Sequence, residues 1–258
     1  MDGCSENILT RRDLARWTIF FCSCILTFTV FAGAVSAQTK ADKTPLYWAR
    51  ILVNGIQPEN TSYQHKQGFI KWKGEDGAPD YESRTDCSGL LNHLLERSYG
   101  LTATDFEKLL GKKRPLAVEY FEAISQEQKF RRITNIKDVR PEDIIAVRYP
   151  PGTNDNTGHI MLIAEAPVRH KASKPEVDGT DQWEVGIIDS SESGHGKTDT
   201  RHKPDATYYQ GVGQGILRLY TSSNGEITGY SWSTLSVSEY YDQTTRQLVI
   251  GRLRLPIK

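Results

Sequence analysis

Six short runs of β-branched and aromatic residues, separated by turn formers, occupy the second half of the chain and constrain its fold more than any other feature. They are residues 143–149, 159–164, 184–189, 215–220, 228–232 and 247–253. Each has the length and composition of a strand. Ser223-Asn224-Gly225 between two of them predicts a tight hairpin. The first half reads differently. Residues 44–54 predict a short helix, with Thr44 as cap, Pro45 at its first position and Gly55 as its stop. Residues 56–86 lack periodicity and predict a long surface loop. From Cys87 onward Leu90, Leu91, Leu94 and Leu95 fall at helical spacing, Gly100 supplies a stop, and further helices are expected near 103–110 and 115–126. Helices first and strands afterwards predict an α+β domain, with helices on one face of an antiparallel sheet.

The leading residues stand outside that pattern. Arg11, Arg12 and Arg16 precede an apolar run from Trp17 to Val35 that ends in Val35-Ser36-Ala37. This is the form of a secretory signal peptide with a small-residue cleavage site, and it predicts an exported, periplasmic or secreted protein. A retained membrane anchor is the competing reading, against which Ser23, Thr27, Thr29 and Gly33 dilute the run. After cleavage, no stable membrane insertion is expected. Residues 38–258 are enough for one domain with long loop insertions. The 32 Lys and Arg residues balance 32 Asp and Glu, so nucleic acid, which favours a basic stripe, is not an expected partner. The stretches His170–Asp181 and Ser193–Ala206 are polar and rich in breakers, and loops of that length are expected to form the walls of a cleft.

Of the four cysteines, Cys4, Cys22 and Cys24 fall within the leader, which leaves Cys87 as the one thiol of the mature chain. Asp86-Cys87-Ser88-Gly89 lies where an irregular loop gives way to a helix. A thiol there faces unpaired backbone N–H groups and the positive end of the helix dipole, which favour a thiolate and can also bind an oxyanion. An inert core cysteine is the alternative. His159 opens an apolar strand, Gly158-His159-Ile160-Met161-Leu162-Ile163, where a base would be held rigidly. Asp189 follows the apolar run Val185-Gly186-Ile187-Ile188. If its strand neighbours that of His159, it can fix the imidazole tautomer. Taken singly, a strand-end histidine bonded to a carbonyl and a turn-forming aspartate are the plainer readings.

Thr85-Asp86-Cys87-Ser88-Gly89-Leu90-Leu91, then Asp143-Ile144-Ile145-Ala146-Val147, then Gly158-His159-Ile160-Met161-Leu162-Ile163, then Ile188-Asp189-Ser190-Ser191 resembles the motif order of NlpC/P60 cysteine peptidases. The resemblance spans roughly residues 60–192. It implies a papain-like core and cleavage of amide bonds in peptidoglycan stem peptides, with Cys87 as nucleophile, His159 as base and Asp189 as the orienting residue. It also implies a tyrosine upstream of the cysteine, with Tyr63 the first candidate and Tyr81 the second. Tyr63, Asp86, Ser88 and His195 are the candidate oxyanion or substrate contacts. In its polar loop His195 has a solvated side chain as its plainer reading. Arg84 is a candidate for a substrate carboxylate, with a surface arginine as the default, and His93 is expected to be a packing residue. No group of histidines and thiols has metal-ligand spacing, so neither a metal nor another cofactor is expected. Two other functions stay open: a non-catalytic wall- or protein-binding module on the same fold, and a thiol amidase or acyltransferase with a non-wall substrate.

Overall fold

The computed structural model describes residues 43–152 and 156–256, which belong to one compact unit, Gln38–Lys258. The expected signal peptide, residues 1–37, lies outside the described residues. Among the described residues no helix is long and apolar enough to cross a membrane.

The first helix, α1 (Pro45–Gly55), starts where Thr44 accepts a hydrogen bond from the Tyr47 amide and Pro45 occupies the first turn. The expected loop that follows is irregular only in part. It carries β1 (Thr61–Tyr63), β2 (Phe69–Lys71) and β3 (Glu82–Thr85), which form a small sheet in the order β1-β3-β2 with β1 and β3 parallel. Strands of three or four residues leave no periodic signal. Tertiary bonds hold them instead: the Val212 amide donates to Thr61 Oγ1 at 2.8 Å, and Ser83 and Thr85 are buried.

Three helices come next, α2 (Cys87–Tyr99), α3 (Ala103–Leu110) and α4 (Ala117–Ser125). The spacing of Leu90, Leu91, Leu94 and Leu95 puts all four on the buried side of α2, each contributing about 1.5–3 kcal/mol of burial. The remaining strands are β4 (Phe130–Ile133), β5 (Ile144–Arg148), β6 (Gly158–Ile163), β7 (Val168–His170), β8 (Asp181–Ser191), β9 (Gly211–Thr221), β10 (Ile227–Ser231), β11 (Tyr240–Asp242) and β12 (Gln247–Leu253). They build one antiparallel sheet in the order β11-β10-β9-β8-β6-β5-β12-β4, with β7 paired to β8. The fold is therefore α+β, with the expected hairpin joining β9 to β10.

Strand alternation sends side chains into two cores. Ile144, Ala146, Ile160, Leu162 and Ile188 face the helices, while Ile145, Val147, Met161, Ile163 and Ile187 face the other way and are equally buried. The second core exists because the sheet curls on itself. Beyond β4, Thr134 accepts from the Ile227 amide at 3.0 Å and the Ile136 amide donates to Gly225 at 2.9 Å, so the β4 edge reaches the β9–β10 hairpin. His159 and Asp189 share the alternation of Met161 and Ile187, which puts both at one end of this curled core. The N-terminus of α2 arrives at the same end.

Candidate active site

The helix start that carries Cys87 is built by Asp86. Its Oδ1 accepts from the Gly89 amide at 2.6 Å and from Ser88 Oγ at 3.0 Å, and its Oδ2 accepts from Arg114 Nη2 at 2.8 Å. Such a cap is worth about 1 kcal/mol. Asp86 and Ser88 were expected as oxyanion or substrate contacts, but these bonds occupy their side chains. What remains for an incoming oxyanion is the pair of first-turn N–H groups of Cys87 and Ser88, which have no acceptor within the helix. Cys87 itself is a free, buried thiol.

His159 reaches this thiol through an unusual backbone. Gly158 has φ +151°, and a Cβ there would lie 1.9 Å from the Val147 carbonyl oxygen, so only glycine can precede the histidine. His159 Nε2 donates to Asp189 Oδ2 at 2.6 Å, and its other nitrogen is left to hydrogen-bond Cys87. β6 and β8 are neighbours in the sheet, with Leu162 opposite Ile188, which brings Asp189 to the imidazole. Ser190 Oγ donates to the Thr85 carbonyl at 2.6 Å and so ties the aspartate strand to the segment that launches α2.

The electrostatics follow from burial and charge. Burial pulls the His159 pKa down, but a Cys87 thiolate and the Asp189 carboxylate outweigh it and push the ring up to about 10. Burial likewise pushes up Asp189, yet Arg201 and His195 hold its carboxyl well below the usual range. At Tyr63, burial first, then the negative charges of Cys87 and Asp86, raise the phenol far above the ordinary value. It therefore remains an O–H donor.

His195 is not solvated, as its loop had suggested, but buried. Its Nε2 lies 2.8 Å from the same Asp189 Oδ2, and its Nδ1 2.7 Å from the Trp232 carbonyl oxygen. Arg201 Nη2 lies 2.9 Å from Asp189 Oδ1 as a charge contact, while the guanidinium directs its Nε and Nη2 hydrogens to Asp199 at 2.9 and 2.8 Å. The Trp232 ring stands edge-on to His159, at 5.5 Å and 87°. Two cavities open on either side of Tyr63 and Asn156. One of about 270 Å³ is lined by His159, His195, Glu192 and Trp232, and one of about 40 Å³ by Cys87, Ser88 and Ala117. Both take in His65.

Other expectations place residues elsewhere. Tyr81 packs edge-on against Trp72, which leaves Tyr63 as the tyrosine at the thiol. Arg84 pairs with Glu82 Oε1 at 3.2 Å and donates to the Glu59 carbonyl, and His93 pairs with Glu96. Ser193–Ala206 does wall the cleft, but His170–Asp181 does not. Carbonyls of that second loop, Ser173 and Lys174, accept from the buried Arg218 at 3.2 and 2.8 Å. Arg201, Asp199 and Trp232 were not expected at the site. One signal pointed toward the first two, the alternating glycines Gly211, Gly213 and Gly215. A Cβ at Gly213 would lie 2.3 Å from Arg201 Nε, and one at Gly215 2.4 Å from Asp199 Oδ2.

The chain is thus an α+β protein with a cysteine, a histidine and an aspartate aligned at one end of a curled antiparallel sheet. Over 222 aligned residues it is 40% identical to "Uncharacterized protein R653" of Acanthamoeba polyphaga mimivirus, a match spanning 82% of this chain and 97% of that protein. It belongs to the same family as this mimiviral protein. No family model and no solved structure matches the chain.

Proposed function

We propose that this protein is a cysteine hydrolase that cleaves an amide bond through a thioester on Cys87, with peptidoglycan stem peptides as its substrate class. The observation that carries the reading is the line from Cys87 through His159 to Asp189, closed by a 2.6 Å hydrogen bond. The thiolate attacks the scissile carbonyl carbon, and the oxyanion that forms is held by the N–H groups of Cys87 and Ser88 and by the Tyr63 hydroxyl. His159, protonated in the resting pair, gives its proton to the leaving amine. It then takes one from the water that attacks the thioester, and Cys87 returns as thiolate. Asp189 holds the ring so that its second nitrogen faces sulfur throughout.

The papain-like NlpC/P60 core belongs to this proposal, supported by a cysteine-bearing helix that abuts an antiparallel sheet with histidine and aspartate on neighbouring strands. The wall-peptide substrate rests on the motif resemblance, and export rests on the leader. Digestion of purified sacculi with wild type, Cys87→Ala and His159→Ala, followed by analysis of released peptides, tests it. Wild type should release peptides with new termini, and each variant should lose at least about 10³-fold, since a nucleophile and its base act as a unit. Full activity in Cys87→Ala would overturn the thiol mechanism. Cleavage of other amides or esters, with sacculi untouched, would overturn the substrate class alone.

A further inference from the structure

Asp189 Oδ2 receives two imidazoles, and hydrolysis as proposed above uses one of them. His195 meets two acceptors, Asp189 Oδ2 at 2.8 Å and the Trp232 carbonyl at 2.7 Å. A neutral ring carries one N–H, so it would set a lone pair against one of these oxygens inside a buried site. A ring bearing both protons satisfies both. A metal ion is the other way to join two imidazoles to a carboxylate, and the two Nε2 atoms and the Asp189 oxygen do lie together, a grouping that sequence spacing did not show. Their separations point to protons. A tetrahedral ion with bonds of about 2.0–2.1 Å keeps its ligand atoms roughly 3.3 Å apart, whereas here nitrogen and oxygen are 2.6 and 2.8 Å apart. Arg201, already 2.9 Å from the other carboxylate oxygen, adds a positive charge that disfavours a cation at the same place.

The charged groups facing Asp189 come from several elements. They are His159 on β6, with Cys87 on α2 beyond it, and His195, Asp199 and Arg201 from the 192–210 segment. That segment is seated against β9 by the close approaches at Gly213 and Gly215. All six side chains are buried. Fully ionised, they carry three negative and three positive charges, so each buried charge has a counter-charge in the cluster.

We propose that His195 and Arg201 are positioning residues, which keep Asp189 ionised and rotated so that Oδ2 faces His159. The catalytic consequence rests on the cysteine-hydrolase reading; the clamp on the carboxylate stands on geometry alone. Without the clamp, a buried carboxylate can turn its oxygens or take up a proton, and the His159 ring loses its orientation.

Histidine-labelled ¹⁵N NMR of wild type, Arg201→Met, Arg201→Lys and His195→Gln, with hydrolysis of a soluble stem peptide in parallel, tests the clamp. In wild type at neutral pH both ring nitrogens of His195 should be protonated, and the His159 Nε2–H should give a far-downfield proton resonance. That resonance should move or vanish in Arg201→Met and His195→Gln. In Arg201→Met, kcat should fall about 10–100-fold with KM little changed, the scale known for hydrogen-bond partners that orient metal-bound histidines. Lysine keeps the charge but not the fork, so Arg201→Lys should recover part of both readouts. Arg201→Lys and His195→Gln carry the test if Arg201→Met does not fold. A singly protonated His195, an unchanged His159 resonance in the variants, or proton loss from both histidines on adding one equivalent of Zn²⁺ alone would overturn the proposal. If wild type leaves the stem peptide uncleaved but shows the expected resonances, the clamp stands and the wall-peptide substrate class falls.

Discussion

Gly158 and His159 show how far a single residue can decide the site. The glycine holds φ +151° with no room for a Cβ beside the Val147 carbonyl, and every contact of the next residue depends on that path. Gly158→Ala should cost about 2–4 kcal/mol, the strain of a forbidden backbone plus the displacement of β5, read as a lower denaturant midpoint with an unchanged slope. Activity should fall with it even where the protein remains folded. The sequence predicts His159 at a strand start and Asp189 at a strand end; β6 does begin at Gly158, whereas β8 continues past Asp189 to Ser191. For His195 the sequence offers both a substrate contact and a solvated side chain, because nothing local distinguishes a polar loop exposed to water from one folded back onto a carboxylate.

At the scale of elements, the site is a junction between the start of α2 and the ends of β6 and β8. The helix and the six strands were legible from periodicity and composition, since each buries enough apolar side chains to leave a pattern. The small sheet β1-β3-β2 and the strands β4, β7 and β11 were not, because segments of three or four residues are specified by their partners. The joint between helix and strand is the Ser190 Oγ to Thr85 carbonyl bond, buried at both ends. Ser190→Ala would leave that carbonyl with the Gln64 amide as its donor, at 3.2 Å, and a loss of about 0.5–1.5 kcal/mol, the worth of one hydrogen bond, is expected from chemical denaturation. Its activity should fall further than its stability suggests, because Asp189 and the segment entering α2 would no longer be fixed to each other. Asp86→Ala removes the cap of the same helix and should cost at least about 1 kcal/mol. Stability and activity equal to wild type in either variant would show that the junction does not hold the site together.

For the molecule as a whole, the buried charges make stability depend on pH in two directions. Asp189 is held below its ordinary value, so its contribution is present above about pH 4 and is lost as the pH falls through its folded value. His159 is raised to about 10. Its contribution is therefore full below its ordinary value of about 6.5 and is lost as the pH rises through about 10. Thermal unfolding followed across pH should show stability declining on the alkaline side, and His159→Ala should lose that part of the decline. In the proposed mechanism a Cys87 thiolate pairs with a His159 imidazolium oriented by Asp189. An NMR titration of the His159 ring in wild type and in Cys87→Ala examines this pair without need of a substrate. The wild-type midpoint should lie near 10 and fall clearly in the variant, because the thiolate charge is the largest influence raising it; the same midpoint in both proteins would contradict the pair.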